Sequence, residues 1–149
     1  MGTILLKIKD FIKYKEGCCL TVYADSRGIF TIGYGHKIIP DDGLFAGDII
    51  TQERADDFFD HDFYWVLSGV KQLVPGFDRL HDNVKVALCD MAYNNGLTGL
   101  AKFRKFLTAI NTNNLVRAKE ELIDSDNFRS RDLHGRYLTL VNLIEKAIV

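Results

Sequence analysis

The sequence predicts an α+β fold, with a small N-terminal lobe carrying an antiparallel sheet and a C-terminal lobe made of helices. Three observations predict it. Apolar residues at helical spacing open the chain, at Ile4, Ile8, Phe11 and Ile12. Short β-prone runs separated by Asp- and Gly-containing turns then fill residues 21–39. From Thr51 onward the spacing is helical, interrupted by Pro75-Gly76, Asn95-Gly96 and Asn111-Thr112-Asn113-Asn114.

Taken in order, the first helix runs to about Glu16, where Gly17 can adopt the left-handed conformation that stops it. Thr21-Val22-Tyr23 reads as a strand. Asp25-Ser26-Arg27-Gly28 has Asp first and Gly fourth, the preference of a type I turn. Ile29–Ile32 is a second strand and Lys37–Ile39 a third, followed by a loop at Pro40-Asp41-Asp42-Gly43. Thr51 caps a long helix whose stripe is Ala55, Phe58, Phe59, Phe63, Val66, Val70 and Leu73. Trp65 lies on that helix, and its spacing predicts packing. At 1.5 Å per residue such a helix extends roughly 33 Å, enough to join two lobes. Further helices are expected at about 78–94, 99–111, 115–124 and 134–148.

The chain of 149 residues is the size of a single domain, 1–149. Its lobes are expected at about 12–60 and at 1–11 with 75–149, joined by an interlobe helix at 51–74. At this length roughly 68–70% of the extended surface is buried, so no metal or disulfide is required. Cys18, Cys19 and Cys89 are odd in number, and two are adjacent, which is no disulfide framework. They read as small buried hydrophobes. No CxxC or HExxH spacing occurs, so neither metal nor cofactor is expected.

Lys7, Lys9, Lys13 and Lys15 break up the N-terminal apolar residues, which argues against a signal peptide. No apolar run approaches a membrane span. The expectation is a monomer made in a cytoplasm without an export signal. Residues 41–64 carry eight acidic groups and one basic group. That block, and the lack of a dense arginine stripe elsewhere, argue against nucleic acid as a partner.

Glu16 is the local misfit. Helix C-termini favour cations, and Lys13 and Lys15 obey that preference while Glu16 does not. A carboxylate there should hold its proton more tightly, and burial or a neighbouring Asp25 would push the same way. That is what a general acid at neutral pH requires. Thr31 and Gly33 share a strand face, and Gly35 can continue it, leaving an open polar surface beside a hydroxyl where a sugar or a water could lie. A surface glutamate and a turn aspartate remain the plain alternative on these residues alone.

The pattern Glu16-Gly17, Leu20, Tyr23-x-Asp25, Gly28, Thr31-Ile32-Gly33-Tyr34-Gly35-His36 resembles the phage-type lysozymes (endolysins) of glycoside hydrolase family 24. Ile50–Ala55, Met91–Gly96 and Gly99–Phe106 are similar to later segments of that family. The resemblance implies a lysozyme-like fold and a catalytic triad of Glu16, Asp25 and Thr31. It also implies inverting hydrolysis of the β-1,4 bond between N-acetylmuramic acid and N-acetylglucosamine in bacterial peptidoglycan, for host cell lysis at the cell wall after release. Two alternatives remain at this stage: a lytic transglycosylase acting on the same bond, and a non-catalytic wall-binding or virion module. Tyr34, Tyr93, Asn94, His36 and Arg136 are further candidates for substrate contact. His36 is read chiefly as a structural partner of Asp62 that helps tie the lobes.

Overall fold

The computed structural model describes residues 2–149. Helix α1 (Gly2–Glu16) is followed by strands β1 (Cys19–Ala24), β2 (Phe30–Gly33) and β3 (His36–Lys37), then by helix α2 (Gln52–Leu73). Helices α3 (Asp82–Ala101), α4 (Arg104–Asn111), α5 (Leu115–Ile123), α6 (Asp126–Arg129) and α7 (His134–Ala147) complete the chain. The fold is α+β and lysozyme-like, mostly helical with one small antiparallel sheet near the N-terminus. Contacts divide it into two compact units, one spanning Lys9–Trp65 and the other joining the chain up to Ile8 with Val66–Val149. Both α1 and α2 contribute residues to each unit.

In the Lys9–Trp65 unit the sheet has the order β1-β2-β3. Tyr23 pairs with Thr31 and Ala24 with Phe30, while Cys19 pairs with Gly33, so β1 bulges between Cys19 and Tyr23. The bulge frees β1 backbone for a second partner. Val22 N donates to Asp48 O at 2.8 Å, and Leu20 O accepts from Ile50 N at 2.8 Å. Beneath the sheet, Val22, Ile32, Ile50 and Ala55 form a buried core, with Leu20, Ile38, Leu44 and Phe58 packed against it. Thr51 caps α2 through its Oγ1, which accepts from Arg54 N at 3.1 Å. That satisfies one of the amide donors left open at a helix start.

In the other unit the buried side chains include Val70, Phe77, Leu88, Met91, Phe106, Tyr137 and Ile144. Asp90, 0% exposed, receives two hydrogen bonds from Arg136, from Nε at 3.0 Å and from Nη2 at 2.6 Å. The Tyr137 hydroxyl accepts from Asn95 Nδ2 at 2.7 Å and from Asn127 Nδ2 at 2.9 Å.

Several boundaries differ from the sequence reading. The helix expected from 78 starts at Asp82, because a 3-10 turn occupies Phe77–Arg79 and His81 caps α3, its Nδ1 accepting from Asn83 N. The interruption expected at Asn95-Gly96 is present as a kink within α3, where Gly96 leaves helical geometry at φ 77° and ψ 163°. A further break, at Lys102-Phe103, divides the helix expected over 99–111, and the short helix α6, capped by Ser125, has no counterpart in the expectation. Trp65 is 72% exposed rather than packed. Of the cysteines only Cys89 is buried, where the loss of solvent pushes its thiol up to about 12. Cys18 is exposed and Cys19 half-buried. Among the described residues no helix is long and apolar enough to cross a membrane.

Candidate active site

Glu16 is the last residue of α1. Gly17 ends the helix at φ 68°, its N–H reaching back to Lys13 O at 2.9 Å. The Glu16 side chain is half-buried and lies against the turn between β2 and β3. A Cβ placed on Gly35 would stand 3.3 Å from Glu16 Oε2, and Gly35 has φ 80°. Glycine there meets two demands at once: a backbone shape that L-residues avoid, and room for the carboxyl.

The β1–β2 turn fixes Asp25. Its N–H donates to Ile29 O at 2.9 Å, and its carbonyl accepts from Gly28 N at 2.9 Å. The carboxyl repeats the pattern, with Oδ1 accepting from Ile29 N at 2.9 Å and Arg27 N at 2.8 Å. The bond from Ile29, then that from Arg27, together with the charges of Arg27 and Lys37, hold the carboxyl below the usual aspartate range. Oδ2 is left without a hydrogen bond among the described residues.

Thr31 is only 4% exposed, on β2 directly across from Tyr23. Its Oγ1 donates to Ile29 O at 2.9 Å. With the proton committed in that direction, the hydroxyl can act toward a further group only as an acceptor. Ile29 thus links the two side chains: its N–H orients Asp25 and its carbonyl orients Thr31.

Glu16, Asp25 and Thr31 therefore fall in one unit, around one hairpin and the helix end that precedes it. The other candidates divide. Tyr34 is half-buried, its ring edge-on to Phe59 at 5.5 Å and its hydroxyl accepting from Gln52 Nε2 at 3.1 Å. His36, 11% exposed at the side chain, sits between two carboxylates, with Nδ1 2.7 Å from Asp62 Oδ2 and Nε2 2.8 Å from Asp42 Oδ2. Its ring stacks on Phe58 at 4.2 Å. Burial pushes the imidazole down, but hydrogen bonds to Asp62 and Asp42 outweigh this and hold its pKa above the ordinary value. Asp42, the second partner, was not anticipated; it sits in the Asp41-Asp42 pair that reads as an ordinary loop. His36, Asp42 and Asp62 all belong to one unit, so their contacts tie that unit internally.

Tyr93 and Asn94 lie on α3 in the other unit, half-buried and exposed respectively. Arg136 is there too, with Nε and Nη2 on Asp90. Among the described residues no group of three or more His, Cys, Asp or Glu side chains has the makings of a metal site.

Comparison with known proteins agrees with this fold. The phage lysozyme family profile matches residues 13–137. The chain is 30% identical to an endolysin of Acyrthosiphon pisum secondary endosymbiont phage 1, over 91% of this chain and 86% of the relative. It is 27% identical to the probable T4-type lysozyme 2 of Dictyostelium discoideum, over 79% and 82%. Identity reaches 35% with the endolysin of Salmonella phage P22, over the smaller shares of 60% and 61%. Fold and relatives together define a glycoside hydrolase of the lysozyme class. Within that class, the chain belongs to the phage lysozyme family.

Proposed function

We propose that this lysozyme is a muramidase of the endolysin type. It hydrolyses the β-1,4 bond between N-acetylmuramic acid and N-acetylglucosamine in bacterial peptidoglycan, with inversion at the anomeric carbon. The observation that carries the reading is the Asp25–Ile29–Thr31 arrangement opposite a carboxyl at a helix end. Thr31 Oγ1 is restricted to accepting, and Asp25 has one uncommitted oxygen, Oδ2. A water between them donates one proton to each and presents a lone pair to the anomeric carbon.

Glu16 supplies the acid, donating its proton to the leaving glycosidic oxygen. The partial negative charge at the end of α1 disfavours a second negative charge there, which suits a proton donor. Asp25, held ionised by backbone N–H groups, takes the proton of the attacking water and offsets oxocarbenium-like charge. A hydrolase has use for this water-handling pair, whereas a transglycosylase that attacks with a substrate hydroxyl does not.

The test is digestion of purified peptidoglycan with the anomers of the fresh reducing ends resolved. The α-anomer is expected first; a β-anomer or a 1,6-anhydro end would refute the mechanism. Glu16→Gln is expected to keep the far-UV spectrum and melting temperature while losing nearly all lytic activity. A fully active variant would remove Glu16 from its role.

A further inference from the structure

We propose that Tyr23 is a further substrate-contacting residue of this active site, its hydroxyl donating a hydrogen bond to a sugar oxygen beside the scissile bond. The proposal rests on the glycosidase reading above and adds a binding group to it. Directly opposed residues on antiparallel strands project from the same face, and Tyr23 is opposed to Thr31. Asp25 follows directly after β1, in the turn, and its charge acts on the phenol. One face of the hairpin thus presents a phenol and a hydroxyl, with a carboxylate close by.

The phenol is placed to meet something outside the chain. Tyr23 is 39% exposed, and among the described residues its hydroxyl has no hydrogen-bond partner. Tyr34, by contrast, is held by Gln52, and the ring of Tyr64 lies edge-on to Phe63 at 5.2 Å with Lys9 over it. Burial, with the nearby Glu16 and Asp25 carboxyls adding to it, raises the Tyr23 pKa above its ordinary value. These carboxyls act on the phenol through charge alone, since neither accepts a hydrogen bond from it. A neutral donor that both carboxyls influence but do not engage suits an uncharged acceptor, and a pyranose hydroxyl, ring oxygen or N-acetyl carbonyl is one.

Tyr23→Phe removes the hydroxyl and keeps the ring, so the strand should fold as before. Two measurements test the assignment. In steady-state hydrolysis of soluble glycan strands, kcat/KM should fall roughly three- to ten-fold, the range for one hydrogen bond to a neutral group. The melting temperature and both limbs of the pH profile should stay where they are. In a Glu16→Gln background, the affinity for an N-acetylglucosamine hexamer should weaken by a similar factor. Unchanged kcat/KM and unchanged affinity would overturn the proposal. A loss accompanied by a moved pH limb would overturn it too, because Tyr23 would then be tuning a carboxyl, and a matching drop in melting temperature would make it a packing residue. The binding measurement needs no turnover, so it decides the role of Tyr23 even if wild type leaves the muramic acid bond intact and the parent reading fails.

Discussion

Gly35 shows how one missing side chain can serve both backbone and chemistry. Its φ of 80° costs an L-residue about 1–2 kcal/mol. A Cβ there would also stand 3.3 Å from Glu16 Oε2, close enough to displace the carboxyl by a few tenths of an ångström. Gly28 offers the matched control, since its φ is 79° and nothing lies within 4 Å of its would-be Cβ. Gly35→Ala and Gly28→Ala should therefore lose similar stability in urea titrations. Only Gly35→Ala should lose kcat, by about ten-fold or more, because the acid is moved from its working position. Equal kcat values in the two variants would remove the crowding argument. At this scale the places of Glu16, Asp25 and Thr31 were legible because helix stop, turn and strand are local features, while grouping them as a triad rests on the family resemblance. Asp25 occupies the position a type I turn gives it, and its carboxyl bonds follow from that turn. The pairing of His36 with Asp62, 26 residues away, was legible and is present; the Asp90 partner of Arg136, 46 residues away, and the second His36 partner, Asp42, in a loop of unremarkable composition, were not.

Among the elements, α3 and α7 are joined by the Asp90–Arg136 pair, with Asp90 fully enclosed. Asp90 stands in a run of buried residues from Val84 to Ala92 that is otherwise apolar except for Lys85, where burial alone predicts a hydrophobe. A buried carboxylate is tolerated there because two guanidinium bonds offset its desolvation. Asp90→Ala should cost about 3–5 kcal/mol, the usual cost of leaving one member of a buried pair uncompensated. A double replacement with apolar residues of similar volume should recover much of it. Thermal melts of the single and double variants check this, and a single variant as stable as wild type would contradict it. Element existence followed from periodicity, but element ends did not. Gly96 interrupts the helix as its sequence suggests, but the second break, at Phe103, has no glycine or proline to mark it. Trp65 carries a helical apolar period and is still exposed. Period fixes which residues could share a face, whereas the width of the buried stripe depends on what covers it.

At the scale of the whole molecule, His36 sets a pH dependence whose sign follows from its two carboxylates. Both ring nitrogens face oxygens, Asp62 at 2.7 Å and Asp42 at 2.8 Å, so only the doubly protonated imidazolium donates to both. Its folded pKa is raised above the unfolded value of about 6.5, so the stabilisation is complete below that pH and is lost as pH rises through the folded pKa. Asp42 runs the other way. Burial alone would raise it, but the bonds from Ile39 N and His36 lower it, so its share is present above about pH 4 and is lost as pH falls through the depressed value. The pair is therefore strongest between about pH 4 and 6.5. His36→Asn should cost about 1.5–3 kcal/mol in that window, the range for a hydrogen bond to a charged group. The gap from wild type should narrow at alkaline pH, where the wild-type imidazole is neutral and one nitrogen faces a carboxylate without a proton. Chemical denaturation of both proteins from pH 4 to 10 measures the gap directly. A constant difference across that range would mean that His36 contributes by stacking on Phe58 and not by its charge.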